Sequence, residues 1–458
     1  MDNLSCVFYA LMNSDGYAGS HRSCAGFSLK GFSKKAFYSH ASYLYNQMRI
    51  FFGMKQREVV EAVRQYYVNS EGRDDDGLLD IEVSFDGTWM TRGHKSHLGI
   101  GLIVECNTGL AIDFEVISNY CQRCNAYEKR LSADEFAEWK RLRHARCMKN
   151  FDGKAGAFEK EAAVRLWGRS TQLGLRYVTF LSDGNSNAYK AVCEMNDGHG
   201  PYDVNVEKED CINHVAKRLG SRLRALKNKS KVVTTTKAGK QVMKSMYAGA
   251  GKLTDGVIDL LTRHFGQNLR KHNSSADVAT VRESILATYY HSSSTDARPR
   301  HASCPHGAQS WCWVQRAEAA NKTPEPHSTK SLHLAGMSQE LLKGILQVYV
   351  DLCSDQLLKR CVKQRTQNSN ESLHSKIWPR CSKEKFASLD RVLFVARGTV
   401  LDHNIGYEKG NLLVALGLRT PDHLNMLKVK AAEVTTPSRK PRKTRAATPS
   451  TGYGAGNF

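Results

Sequence analysis

The chain has no apolar run near the roughly 18 residues that a membrane-spanning helix requires. Its first residues, MDNLSCVFYALMNSDG, lack a basic n-region and hold only a short apolar stretch, so a secretory signal is not expected. No internal repeat is evident, which sets aside solenoids and propellers. Residues 1–78 contain no clear zinc finger or helix-turn-helix. Acidic residues are in deficit: 45 Asp and Glu stand against 66 Lys and Arg, a net charge of +21. A surplus of that size attracts polyanions at long range, and nucleic acid is the commonest one. Of the 458 residues, 41% are hydrophobic and 24% charged, the balance of an ordinary globular chain. Length suggests about three structural units. The 13 cysteines are odd in number and have no secretory context, which points to reduced thiols, some of them on metal, and to the cytosol or nucleus.

Periodicity divides the chain. Phe37–Ser70 carries apolar residues at helical spacing, closed by the acidic, Gly-containing stretch Glu71–Gly77. In Asp80–Trp89, Ile81, Val83 and Phe85 alternate with Glu82, Ser84 and Asp86, the mark of a strand. His97–Cys106 and Leu110–Ser118 are two further strands, joined as a hairpin by Asn107-Thr108-Gly109. A helix is expected over Ala155–Gln172, a strand over Arg176–Ser182, a short helix over Asn187–Met195, a strand at Val204–Val206 and a basic helix over Asp210–Leu226. This is the element order of the ribonuclease-H fold, an α/β fold with a mixed five-stranded sheet flanked by helices. Lys227–Lys252 is Lys-, Thr- and Gly-rich and reads as a mobile basic loop. Helical patterns follow at Leu253–His272, Val278–Tyr289, Ser338–Cys361 and Leu389–Val400. The expected domains are a helical region over 1–78, the first part of the core over 79–228, a mostly helical insertion over 229–363, the last core helices over 364–427 and a basic disordered tail over 428–458.

Asp86 follows the alternating residues of the first strand, Asp183 ends the fourth, and each precedes a glycine. Two carboxylates at adjacent strand ends suit hard divalent cations such as Mg²⁺, although an Asp-Gly pair also suits a plain turn. The segments IEVSFDGTWMTRG, YCQRC, FDGKAGAFEKEAAV, GLRYVTFLSDGNSNAY, DCINHVAKRLGSRLR, HASCPHGAQSWC and QRTQNSNESLHSKIWPRC, in this order, resemble the Mutator-like transposase domain over roughly residues 80–400. The resemblance implies a ribonuclease-H-like core, DNA cleavage and strand transfer with two Mg²⁺ or Mn²⁺ ions, and a nuclear location. It maps the third acidic ligand to Glu371, with Glu384 and Asp390 as rivals. Asn370 or Ser369 capping a helix, with Glu371 in its first turn, is the plain alternative.

Cys121-x-x-Cys124 and His144-x-x-Cys147 have the spacing of a structural zinc site; free thiols in a long loop are the alternative. Cys211-x-x-His214 matches a feature of the same family, and Cys304 and Cys312, near His301, could complete a second zinc site there. Lys217, Arg218, Arg222, Arg224 and Lys227 on one helix, and Arg439, Lys440, Arg442 and Lys443 in the tail, are candidates for phosphate contacts. A solvated basic face, or a nuclear-import patch in the tail, reads equally well. Trp89, Trp167, Trp311, Trp313 and Trp378 are expected in core packing. Holding two DNA ends would call for a homodimer or larger assembly.

Overall fold

The computed structural model describes residues 3–26, 28–72, 77–91, 95–143, 147–184, 187–235, 239–249, 251–271, 277–381, 387–409 and 411–418. His144, Glu384 and the tail with Arg439, Lys440, Arg442 and Lys443 lie outside these residues. The described chain forms two compact units, one from residues 3–208 and 367–418, the other from 209–366.

The first unit begins with helices α1 (Asn3–Met12), α2 (Tyr17–Gly26) and α3 (Lys34–Glu71). Ser33 caps α3 by accepting from the Ala36 amide, and Gly72 ends it in the left-handed region at φ 62°. Strands β1 (Leu79–Trp89), β2 (Leu98–Glu105) and β3 (Ala111–Ser118) follow as a meander. Gly109 makes the β2–β3 turn at φ 71°, and the buried Glu105 carboxylate accepts from the Asn107 and Thr108 amides there. Next come α4 (Gln122–Glu128), α5 (Ala133–Arg143), α6 (Phe158–Arg169), β4 (Leu175–Ser182), α7 (Asn187–Cys193), the single turn α8 (Met195–Gly198) and β5 (Glu207–Asp210). β1 pairs antiparallel with β2 and parallel with β4, in a five-stranded mixed sheet of order β3-β2-β1-β4-β5. Ile81, Val83 and Phe85 face a core that Ala162, Ala163, Leu166 and Trp167 of α6 complete. Helix α6 lies close on β2 because a Cβ at Gly99 would stand 2.7 Å from Phe158 and one at Gly101 2.6 Å from Ala162. The opposite face of β2 and β3 is covered by α1, α3, α15 (Asn368–Arg380), α16 (Leu389–Lys409) and α17 (Leu412–Ala415), whose apolar side chains share one core with it.

The second unit holds α9 (Ile212–Lys229), a hairpin of β6 (Lys231–Thr235) and β7 (Gln241–Ser245), α10 (Asp255–Lys271), α11 (Val278–Ser292), α12 (Trp313–Ala319), α13 (Gln339–Leu352) and α14 (Asp355–Lys359). The hairpin corrects the expected basic loop over 227–252: Val232, Val233, Val242 and Met243 supply β-forming residues on both arms. The helix expected over Ser338–Cys361 is two helices, because the chain breaks at Cys353-Ser354 and Ser354 starts α14. Among the described residues no helix is long and apolar enough to cross a membrane.

Candidate active site and metal centres

Alternation along β1 turns Phe85 into the core and leaves Asp86 on the other side of the strand. The parallel register pairs Ser84 with Leu181; continued two residues, it sets Asp86 alongside Asp183, just past the end of β4. Both carboxylates are half-buried.

Helix α15 is fastened to the same stretch of β1. Gln367 donates to the Phe85 carbonyl at 2.8 Å. The buried Asn370 accepts from the Ser84 hydroxyl at 2.8 Å and donates to the Leu102 carbonyl at 3.0 Å. Glu371, the next residue, stands exposed in the first turn of α15, where a negative charge suits the helix dipole. One turn on, His374 Nδ1 lies 3.5 Å from an Asp86 carboxylate oxygen. Trp378 donates to the Thr88 hydroxyl at 2.9 Å. Of the rivals to Glu371, Asp390 lies in the first turn of α16.

Two residues that sequence reasoning passed over belong to this neighbourhood. His374 is buried, and its Nε2 has no hydrogen-bond partner among the described residues. Glu159, in the first turn of α6, is pushed up to about 7 by burial and then by the charges of Asp183 and Asp86, with Lys208 opposing. It lies over Gly87, where a Cβ would stand 2.9 Å from Glu159 Cγ, so the glycine of the Asp86-Gly87 pair makes room for a further carboxylate. A glutamate in a first helical turn is ordinarily a matter of helix polarity, and its spacing from Asp86 carries no motif.

The described residues also form two sulfur-bearing clusters. Cys121, which starts α4, Cys124 within it and Cys147 beyond α5 bring their sulfurs together, with Cys124 and Cys147 Sγ atoms 3.4 Å apart. Burial, followed by the neighbouring thiols, pushes Cys124 up to about 12. The second cluster corrects the expected grouping. Cys304 and Cys312 converge with His301 and His291, and Cys211 and His214 are not part of the group. A tetrahedral ion takes four ligands, and His291 at the end of α11 together with His301 stands where Cys211 and His214 of α9 were expected. Cys211 is instead buried at the start of α9, and His214 lies one turn later. Trp311 and Trp313 set their rings edge-on to His291, at centroid distances of 4.9 and 4.8 Å.

The basic residues of α9 are mostly engaged. Arg218 bonds the buried Asp210 at 3.0 Å, Lys227 bonds Asp255 at 3.2 Å, Arg224 pairs with Asp259, and Arg222 stands 3.8 Å from Asp351. Lys217 is exposed. The pairs at Arg222, Arg224 and Lys227 are solvent-facing on at least one side and worth about 0–1 kcal/mol each, so a phosphate can displace their partners.

No curated protein matches the chain. The family model described as Mutator-like transposase matches residues 3–312, more than half of the chain, and stops short of α15 and Glu371. The match includes both Asp-Gly pairs, the Cys121 group and all four members of the His291 cluster. Matched by that model over more than half of its length, the chain belongs to the Mutator-like transposase family.

Proposed function

We propose that the protein is a DNA transposase of the Asp-Asp-Glu type, cutting phosphodiesters at transposon ends and joining the freed 3′-OH to target DNA. The observation that supports this reading is the register of β1 and β4, whose last pair, Ser84 and Leu181, stands two residues before Asp86 and Asp183, with α15 and its Glu371 fastened to Ser84 and Phe85 of β1. The strand order β3-β2-β1-β4-β5, with a meander running into a parallel pair, supports a ribonuclease-H-like core.

The donor set fits hard divalent cations. Asp86, Asp183 and Glu371 offer only carboxylate oxygens, and the charges of Asp183 and Asp86 add to burial in pushing the nearby Glu159 upward. Bound there, two Mg²⁺ or Mn²⁺ ions would activate the attacking oxygen and stabilise the leaving one. The residues of the chain contribute position. The sheet holds two carboxylates rigidly, Gln367 and Asn370 hold the helix that presents the third, and His374 orients Asp86. Lys217, with the displaceable cations of α9 and the basic tail, would contact phosphates. The tail's Arg439, Lys440, Arg442 and Lys443 suit nuclear import, and two DNA ends call for at least a homodimer. Zinc on the Cys121–Cys124–Cys147 group, with His144 as fourth ligand, would order the stretch between β3 and α6.

The test is incubation of the full chain with duplexes carrying the element's ends and a plasmid target, with Mg²⁺ or Mn²⁺. Nicking at the ends followed by joining is expected; binding without cutting in either metal would make the chain a DNA-binding derivative of a transposase. Asn370→Ala probes the support of Glu371. It leaves buried partners unpaired, which costs about 1–3 kcal/mol. It is expected to slow cleavage by more than tenfold at a temperature where circular dichroism still reports a folded chain.

A further inference from the structure

The stretch between α11 and α13 has little to hold it. Its regular structure is α12 and one 3₁₀ turn at His327–Thr329. Its own apolar cluster is small: Ala287, Cys304, Trp311, Cys312, Trp313 and Val314. Yet four polar or ionisable side chains are buried within it, His291, His301, Cys304 and Cys312, with one ligand atom from each lying within 4.8 Å of all the others.

The distances have the pattern of coordination. His301 Nδ1 is 3.3 Å from Cys312 Sγ and 3.8 Å from Cys304 Sγ, and His291 Nδ1 is 3.7 Å from Cys304 Sγ. Around a tetrahedral zinc with Zn–S near 2.3 Å and Zn–N near 2.0–2.1 Å, sulfur and nitrogen ligands stand about 3.5 Å apart. Thiol–imidazole hydrogen bonds would satisfy one pair at a time; here His301 Nδ1 faces both sulfurs and Cys304 faces both rings. Charge agrees as well. Two thiolates neutralise one divalent cation, so the filled site is neutral and its burial carries no ionic desolvation cost. An S₂N₂ donor set excludes the hard cations suited to the carboxylates.

We propose that His291, His301, Cys304 and Cys312 bind one structural Zn²⁺ that pins the α11–α13 connection, and that Asp296 and His327 form its supporting relay. His301 Nε2 lies 2.9 Å from His327 Nε2, and His327 Nδ1 lies 2.8 Å from Asp296 Oδ1. With Nδ1 of His301 on the ion, its Nε2–H donates to His327 Nε2. That leaves the proton of His327 on Nδ1, donating to the Asp296 carboxylate. One tautomer assignment therefore satisfies every ring nitrogen, and the relay orients His301 and raises its basicity. The four ligands close the sphere, so the role is structural. It is independent of the chemistry at Asp86.

The experiment measures zinc per chain by elemental analysis in the full chain carrying Cys124→Ser and Cys147→Ser, so that the other thiol group does not contribute. One zinc per chain is expected, and Cys304→Ser or His291→Asn added to that background removes it. Cobalt substitution is expected to give the visible bands of a tetrahedral thiolate site, abolished by the same changes. His327→Ala keeps all four ligands and serves where a ligand variant fails to fold. It is expected to retain one zinc and to weaken its affinity 10- to 100-fold in competition with a chelator. Absence of zinc and cobalt uptake in the background protein, or zinc content unchanged by Cys304→Ser, would overturn the site; zinc affinity unchanged by His327→Ala would overturn the relay.

Discussion

Asp183→Asn is expected to slow single-turnover strand cleavage about a thousandfold, the effect of losing roughly 4 kcal/mol of transition-state stabilisation. Asp86→Asn should do the same, because both carboxylates are proposed to hold the shared ions. The fold should not suffer. Asp86 and Asp183 both push Glu159 upward, so neutralising either relieves repulsion in the metal-free protein. Its thermal stability should stay level or rise by about 1 kcal/mol. Parallel cleavage assays and melting curves check both halves. Cleavage within tenfold of wild type would remove the aspartates from the chemistry, and a large loss of stability would make them structural.

Arg169→Met should be the most damaging single change in the sheet-bearing unit. Asp113 on β3 is buried, and burial pushes its carboxyl up while the hydrogen bonds and charge of Arg169 pull it back. Arg169 donates to both Asp113 oxygens, at 2.8 and 3.0 Å, to the Phe114 carbonyl at 2.8 Å, and pairs with Glu115. Removing the guanidinium strands a buried carboxylate, which costs about 3–5 kcal/mol. The double change Arg169→Met with Asp113→Leu should recover most of that, since an apolar pair of similar volume carries no charge to desolvate. Denaturant unfolding of the single and double variants reads this directly. A single variant within about 1 kcal/mol of wild type would show the pair to be solvated.

The first four strands of the sheet were legible from their apolar runs and turns, but the fifth, expected at Val204–Val206, lies at Glu207–Asp210, where charged residues hide it. Ile81, Val83 and Phe85 announced β1, and the Asn-Thr-Gly turn announced the β2–β3 hairpin. Helices α4 and α5 escaped, because α5 has no buried stripe of its own to impose a period. The β6–β7 hairpin escaped because neither arm has a buried face to impose a period and its Lys and Thr resemble loop composition. Of the site, Asp183 could be read from the end of β4, while Asp86 lies inside β1, which runs on to Trp89. Glu159 could not, since its place depends on how closely α6 settles over Gly87. His291 was hidden for a similar reason. It closes an amphipathic helix ten residues before His301, where a histidine suits the helix C-terminus and no ligand spacing marks it. Cys211-x-x-His214 has better-looking spacing, yet the fold assembles the cluster from α11 and the loop after it.

If Asp86, Asp183 and Glu371 share divalent ions, iron-directed cleavage of the protein backbone will mark all three. Fe²⁺ substituted for Mg²⁺, with hydrogen peroxide as oxidant and ascorbate to return Fe³⁺ to Fe²⁺, generates hydroxyl radicals that cut the chain beside its ligands. The account predicts three cut sites, near residues 86, 183 and 371, all suppressed by excess Mg²⁺ and weakened together by Asp86→Asn. Cuts near 86 and 183 without one near 371 would take the third carboxylate away from α15, and cuts near none of them would contradict the account.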